Sequence, residues 1–231
     1  MLTNRKFMIN KILNTNFFGR IFHTLNYCLK RELKDCETVL DLGCGPSSPL
    51  QYCKNIKHSV GVEAFKPYLE EARQRAIHSE YLERRIEELD FPENSFDAVI
   101  MLEVLEHLPK EIGFEIIKKA DKWAKKKVVI STPNGFFPME DVDDNDLQRH
   151  LSGWTPVEFK GLGFAPYGLS GVKGMYLAEN AVESLVEGGE VFTNIRYKPK
   201  VFFYFLNALL QIFVYYLPKY SFGLLAVKRK K

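Results

Sequence analysis

The sequence predicts an α/β fold in which a mainly parallel, doubly wound sheet of seven strands carries helices on both faces. Short apolar runs alternate with segments of helical periodicity along most of the 231 residues, and this alternation is typical of a parallel sheet. Several runs end on an acidic residue or in a glycine-rich turn, as ligand-binding strands do. Hydrophobic residues form 46% and charged residues 26% of the chain, which is the composition of a globular protein.

Each element follows from its local pattern. Strands are assigned to short apolar runs, and helices to segments with apolar residues three or four positions apart. Pro67 and Pro156 suit the first turn of a helix, and Pro133 stops the fifth strand. The predicted strands cover 38–40, 58–63, 81–86, 97–102, 128–130, 164–172 and 222–228, and the predicted helices cover 47–55, 67–78, 110–124, 155–162 and 201–217.

Residues 1–35 are predicted to form an N-terminal helical cap, and residues 36–231 the main domain. Apolar residues in the first segment recur at helical spacing with a break near Gly19. The segment either packs on the sheet or caps the pocket, as one or two helices would, or it binds a membrane surface or the methyl acceptor.

The aromatic stretch 201–217 is predicted to be a helix that covers the core. It is short for a membrane span, and Asn207 and Gln211 interrupt it. The last strand, 222–228, belongs in the same sheet, and a span would leave that strand on the wrong side of the bilayer. A helix that is partly buried and also contacts a membrane or an apolar substrate is the open alternative.

The charge and cysteine content point to a cytoplasmic protein without a zinc site. The net charge of +3 is too small to indicate nucleic-acid binding. No secretory leader is recognisable, and the four cysteines, at positions 28, 36, 44 and 53, form no CxxC pair. The acidic run between 140 and 146 is expected to be a solvated loop.

The turn after the first strand predicts the ligand. Gly43 and Gly45 follow Asp41, but a third glycine and a lysine are absent, which argues against the dinucleotide and P-loop motifs. The carboxylate of Asp41 would repel a pyrophosphate and attract a cation. Glu63 ends the next strand, where an acidic residue can bind ribose hydroxyls. A cationic nucleoside without phosphate is expected, and S-adenosylmethionine fits.

Four motifs in order make residues 36–165 resemble the class I S-adenosylmethionine-dependent methyltransferases. They are Val-Leu-Asp-Leu-Gly-Cys-Gly at 39–45, Val-Gly-Val-Glu at 60–63, Leu-Asp-Phe-Pro-Glu-Asn-Ser-Phe-Asp at 89–97 and Leu-Glu-Val-Leu-Glu-His-Leu-Pro at 102–109. The resemblance implies a Rossmann-like sheet and S-adenosylmethionine as cofactor. It also implies that Asp41, Gly43 and Gly45 line the methionine part, that Glu63 binds the ribose, and that Phe65 packs on the adenine with Ile86 and Glu87 at its edge. Cys44 and Leu102 complete the expected cofactor site. Many relatives have an aspartate where this chain has Arg85.

Two histidines, His107 and His150, are the predicted catalytic residues. Methyl transfer to an oxygen needs alignment with the methyl group and removal of a proton, and a histidine near the strand ends is a suitable base. Glu103, Glu106 and His107 share one face if helical. With His150 they could instead bind a divalent metal, as in the similar small-RNA 2′-O-methyltransferases, or have structural roles. Ubiquinone-type O-methyltransferases carry comparable elements.

The region beyond residue 165 favours a small apolar acceptor. This superfamily builds its acceptor pockets there, and the segment is rich in phenylalanine and tyrosine, whereas an RNA site needs a basic groove. O-methylation of an apolar or aromatic small molecule is therefore predicted, with peripheral membrane contact left open. The alternatives are a metal-dependent RNA 2′-O-methyltransferase and a non-catalytic S-adenosylmethionine-binding module.

Overall fold

A computed structural model describes residues 16–139, 145–176 and 195–230. In this part of the chain the helices are α1 (Asn16–Phe22), α2 (Leu25–Glu32), α3 (Lys66–Gln74), α4 (Lys110–Trp123), α5 (Pro156–Gly161) and α6 (Lys200–Val214). The strands are β1 (Thr38–Leu42), β2 (His58–Glu63), β3 (Glu80–Glu83), β4 (Phe96–Leu102), β5 (Ala124–Pro133), β6 (Ala165–Val172) and β7 (Ser221–Arg229).

The strands form one sheet in the order β3-β2-β1-β4-β5-β7-β6. The pairs β1–β2, β2–β3, β1–β4 and β4–β5 are parallel, and β7 runs antiparallel to both β5 and β6. The predicted mostly parallel sheet of seven strands is therefore confirmed. The strand order reverses between β1 and β4, and ligands of open α/β sheets bind in the crevice at such a point.

Helices cover both faces of the sheet, as predicted. On one face, Ile116 and Trp123 of α4 and Phe159 of α5 pack on the sheet. On the other face, Leu29 of α2 and Tyr215, which follows α6, pack in a second buried cluster. Because α2 contributes to this second cluster, part of the segment 1–35 shares the core of the main domain. The boundary at residue 35 stays a prediction.

Two local predictions were wrong. The segment 47–55 forms only a short 3₁₀ turn, Pro49–Tyr52, because the Asn55 side chain donates to the carbonyls of Leu33 and Cys36 and ties the chain to the end of α2. The third strand ends at Glu83, before a 3₁₀ turn at Ile86–Glu88. In the acidic run, Glu140, Asp141, Asp143 and Asp144 lie outside the described residues, and Asp146 begins a 3₁₀ turn.

Helix α6 packs on the sheet through its polar side chains. Asn207 and Gln211 are buried. Gln211 accepts from the amide of Gly171 at 2.7 Å and donates to the carbonyl of Gly168 at 3.0 Å, and Asn207 accepts from the amide of Val172 at 2.7 Å. These bonds satisfy backbone groups where β6 is irregular. No helix among the described residues is long and apolar enough to cross a membrane.

Candidate functional site

A cavity of about 1150 Å³ lies at the carboxyl ends of β1, β2 and β4. Its volume exceeds the usual range of small-molecule pockets, roughly 300–1,000 Å³, and therefore suits two ligands side by side. Ten of the predicted site residues line it, namely Asp41, Gly43, Cys44, Gly45, Glu63, Ile86, Glu87, Leu102, His107 and His150.

The glycine turn needs both of its glycines for conformational reasons. Gly43 has φ +67° and Gly45 has φ +55°, values that residues with a Cβ atom rarely adopt. A Cβ atom on Gly43 would also lie 2.6 Å from Cγ2 of Val104, whereas one on Gly45 would meet open space. The backbone at Gly45 is therefore open to a ligand, and its amide donates to Oε2 of Glu63 at 3.1 Å.

Asp41 is held by two side chains that the sequence pattern does not mark. Its Oδ2 accepts from the Ser48 hydroxyl at 2.5 Å and lies 2.9 Å from Nε2 of His78. Both side chains of the Asp41–His78 pair are shielded from solvent. Gly61 makes room for this pair, because a Cβ atom there would lie 2.9 Å from the imidazole ring. Asp41 therefore borders the cavity with one of its oxygens already engaged.

Glu63 presents a partly buried carboxylate at the end of β2. Its Oε1 accepts from the amide of Phe65 at 2.8 Å, and its Oε2 accepts from Gly45. Burial raises the pKa of Glu63, and the backbone hydrogen bonds oppose that rise. Each carboxylate oxygen can accept a further hydrogen bond, so the group is suited to bind the two hydroxyls of a ribose.

Phe65 does not line the cavity, although the resemblance implies that it packs on the adenine. Its ring packs edge-on against Tyr68, with centroids 5.0 Å apart, and Tyr68 lines the cavity instead. Arg84 and Arg85 border the same region as Ile86 and Glu87. Tyr68 thus offers the aromatic face that the sequence motif assigned to Phe65.

His107 and His150 come together, with ring centroids 4.8 Å apart. Nδ1 of His150 lies 2.6 Å from the carbonyl of Phe137, and Nδ1 of His107 lies 3.3 Å from the carbonyl of Arg149. Because a carbonyl only accepts, both Nδ1 atoms carry a proton, and each Nε2 keeps a lone pair when the ring is neutral. Burial lowers the pKa of both rings, that of His107 to about 4, so both are neutral at pH 7.

Two glutamates adjoin the histidines. Glu106 is buried, and its pKa is well above the usual value because of burial and the nearby carboxylate of Glu103. Glu103 has φ +56° and accepts from the Ser131 hydroxyl at 2.6 Å. A non-glycine residue in this conformation at a strand end is typical of functional sites.

The cluster fits a divalent cation. Ligand atoms of Glu106, His107 and His150 lie within 4.8 Å of one another. Glu106 Oε2 and His150 Nε2 are buried, and no hydrogen-bond partner for either lies among the residues that the structure describes. Two imidazoles and carboxylates are ligands that suit Zn²⁺, Mn²⁺ or Fe²⁺. A metal ion and a metal-free base are both compatible with this geometry.

Aromatic side chains from distant segments form another part of the cavity wall. They belong to α1, to α6 and to the ends of the last two strands, and are Phe18, Phe22, Tyr176, Tyr204, Phe205 and Phe222. The Tyr176 hydroxyl donates to the carbonyl of Ser170 at 2.7 Å and accepts from Asn207 at 2.9 Å. Burial raises the pKa of Tyr176 to about 12. Sequence composition indicated this aromatic character but not the individual residues.

Comparison with known proteins finds a family match for the middle of the chain. Residues 40–130 match the family model of a methyltransferase domain. The sterol 24-C-methyltransferase ERG6A of Gibberella zeae is 30% identical over 133 residues, which cover 51% of this chain and 32% of that protein. The chain thus spans about a third of the length of this curated relative.

Solved structures share the fold. A SAM-dependent methyltransferase from Archaeoglobus fulgidus superposes with a TM-score of 0.54 and 18% identity, over 93% of this chain and 98% of that one. The small RNA methyltransferase HEN1 gives a TM-score of 0.55 and 16% identity, over 89% of this chain and 25% of that one. At these identities the likeness concerns the fold alone.

Proposed function

We propose that this chain, which has the fold and the domain of the class I S-adenosylmethionine-dependent methyltransferases, methylates an oxygen of an apolar or aromatic small molecule. The family match over residues 40–130 supports the resemblance predicted from the four sequence motifs. S-adenosylmethionine is the cofactor of this class, and the residues of the glycine turn and of β2 fit it. The acceptor and its oxygen atom are the new part of the proposal.

The observation that carries the proposal is the composition of one continuous cavity. The glycine turn and Glu63 line it together with a histidine pair and the aromatic rings from α1, α6 and the last two strands. A cofactor at the turn therefore shares its enclosure with an aromatic compartment. Such walls bind apolar molecules through burial of their surface.

Different residues bind the cofactor, accept the proton and exclude water. Glu63 accepts the ribose hydroxyls and the backbone near Gly45 approaches the methionine part, which orients the cofactor. Bound S-adenosylmethionine supplies an electrophilic methyl group. Nε2 of His150 or His107 accepts the acceptor's hydroxyl proton as the oxygen attacks the methyl carbon and the carbon–sulfur bond breaks. The aromatic walls exclude water from the attacking oxygen.

The test is transfer of labelled methyl groups into a fractionated metabolite extract. The expected result is label in an organic-extractable compound, formed without added metal. Alkaline hydrolysis should release the label from a methyl ester, and hydriodic acid should release it as methyl iodide from a methyl ether. Label only in nucleic acid, or only on nitrogen or carbon, would contradict the proposal. Binding of S-adenosylhomocysteine with no transfer to any fraction would favour the non-catalytic binding module.

The Glu106–His107–His150 cluster supports a second candidate, metal-dependent 2′-O-methylation of RNA. A cation held by these side chains would act as a Lewis acid on the attacking hydroxyl. Activity on a small RNA that is lost with EDTA and restored with Mg²⁺ or Mn²⁺ would establish this candidate. Full activity on a small molecule in EDTA would exclude it.

The cell compartment is also part of the proposal. Cys28, Cys36, Cys44 and Cys53 are buried free thiols, which supports a reducing compartment such as the cytoplasm.

A further inference from the structure

Helix α6 buries its polar side and exposes its apolar side, which is the reverse of the usual arrangement of a surface helix. Its polar residues Asn207 and Gln211 face the sheet and are buried. Residues 201–217 contain no charged side chain. The opposite side of the helix carries large apolar side chains that are more than half exposed, namely Val201, Phe202, Phe205, Leu209 and Phe213.

These five side chains form one stripe along the helix. At 3.6 residues per turn they fall within about a third of its circumference. Tyr216, Leu217 and Tyr220 continue the exposed apolar surface beyond the helix. Helix α1 contacts α6, and Phe17 of α1, which is 70% exposed, extends this apolar surface. We call this the α1/α6 face.

Basic residues flank the α1/α6 face. Arg196 and Lys198 lie just before α6, Lys200 begins it and Lys219 follows it, and residues 195–220 contain no aspartate or glutamate. In α1, Arg20 is exposed, and the described residues 16–31 contain no aspartate or glutamate. An apolar stripe between cations complements a surface of anionic headgroups over hydrocarbon.

We infer that the α1/α6 face docks on the surface of an anionic phospholipid membrane, with α6 lying parallel to the bilayer. A helix of 15 residues is about 22 Å long, which is shorter than the hydrocarbon core of roughly 30 Å. Tyr216 and Tyr220 fit the headgroup region, which tyrosine prefers. The docked face covers the apolar side chains that water otherwise contacts.

The same surface leads to the cavity. Phe205 is 60% exposed and also lines the cavity, so the cavity opens at the α1/α6 face. Phe18 and Phe22 of α1 line it from the neighbouring helix. An acceptor dissolved in the bilayer therefore enters beside Phe205 without crossing water. This route, unlike the docking itself, rests on the proposed function.

Co-sedimentation with vesicles tests the docking. The full chain should sediment with phosphatidylcholine vesicles that contain phosphatidylglycerol, and less with phosphatidylcholine alone. Phe202→Glu with Phe213→Glu should lower the partition coefficient at least about tenfold, because two rings lose their apolar surroundings. The matched control is Val157→Glu, since Val157 is 77% exposed on α5, and it should bind as the wild type does.

A second variant makes the test independent of the aromatic residues. Lys198→Gln with Lys219→Gln should weaken binding to the anionic vesicles by about fivefold per lysine. This variant carries the test if the glutamate pair does not fold, as judged by thermal unfolding. Wild-type binding in either folded variant, or no binding of the wild type to anionic vesicles, would overturn the inference.

Two further readouts separate membrane docking from self-association and from loss of the cofactor site. The wild type could instead form a dimer that the glutamate pair abolishes, while it does not bind vesicles. That result would assign the face to a second copy of the chain and overturn membrane docking. Calorimetry with S-adenosylhomocysteine on the same samples should give one affinity for all variants. If the wild type does not bind S-adenosylhomocysteine, the proposed function is refuted. The vesicle result then still decides whether the α1/α6 face docks on membranes.

Discussion

Replacement of Glu63 by glutamine should weaken S-adenosylhomocysteine binding while leaving the fold intact. The carboxylate accepts from the amides of Gly45 and Phe65 at 3.1 and 2.8 Å. Glutamine has the same shape but one acceptor oxygen, so its amino group must face one of these amides or a ribose hydroxyl. Loss of one charge-assisted hydrogen bond costs about 1–3 kcal/mol, or roughly a 5- to 150-fold rise in Kd.

Isothermal titration calorimetry with S-adenosylhomocysteine measures this change. The matched control is Glu83→Gln, because Glu83 pairs with Glu63 across the β2–β3 register but is exposed and ends its own strand. The control should bind as the wild type does. Equal affinity of Glu63→Gln and the wild type would refute the assignment of Glu63 to the cofactor.

The pH dependence of the same titration gives an independent check. Burial raises the pKa of Glu63, so this carboxyl takes up a proton at a higher pH than a free glutamate does. The protonated group has lost part of its acceptor capacity. Affinity should therefore be full above the raised pKa and fall as the pH drops through it. Glu63→Gln should show a weaker dependence, and an identical profile in both proteins would contradict this reasoning.

Three further predictions concern the glycine turn, the catalytic base and the buried polar side of α6. Gly43→Ala should lower stability by about 1–3 kcal/mol in urea unfolding, because φ is +67° and the methyl group meets Val104; a wild-type midpoint would count against this. His150→Gln should slow transfer at least about 100-fold without changing S-adenosylhomocysteine affinity, and a wild-type rate would exclude it as the base. Gln211→Leu should destabilise by about 2–4 kcal/mol, because two buried backbone groups of β6 lose their partners, whereas Leu209→Ser on the exposed side should not; the reverse order would show that α6 is turned the other way.

Most of the sheet could be predicted because each strand is a local apolar run. Strands β2, β4 and β7 lie within one residue of their predicted ends. The helix predicted for 47–55 failed because Asn55 bonds to carbonyls about twenty residues earlier in the chain, and such a contact leaves no local pattern.

The site was predictable to the extent that its residues lie at strand ends. Asp41 lies one residue before the end of β1 and Glu63 ends β2, and the sheet brings them to one crevice. His78 reaches Asp41 from 37 residues away, and no periodicity marks it. Tyr68 rather than Phe65 lines the cavity. Phe65 precedes α3 and Tyr68 lies in its first turn, and the proline at the start of the helix does not determine which of the two rings faces inward.

The orientation of α6 shows a further limit. An apolar helix with two polar residues normally buries its apolar side. Here the irregular end of β6 needs hydrogen-bond partners, and Asn207 and Gln211 supply them. The polar side therefore faces the sheet. The composition of the helix alone does not show that β6 needs these hydrogen-bond partners.

The central claim is that the cavity binds the cofactor beside the histidine pair and the aromatic compartment. A crystal structure of the chain with S-adenosylhomocysteine tests it most directly. We expect the ribose hydroxyls within hydrogen-bond distance of Glu63, with the sulfur directed toward the part of the cavity lined by His107, His150 and the aromatic rings. A ligand bound outside the cavity, or a sulfur directed away from both histidines, would contradict the account.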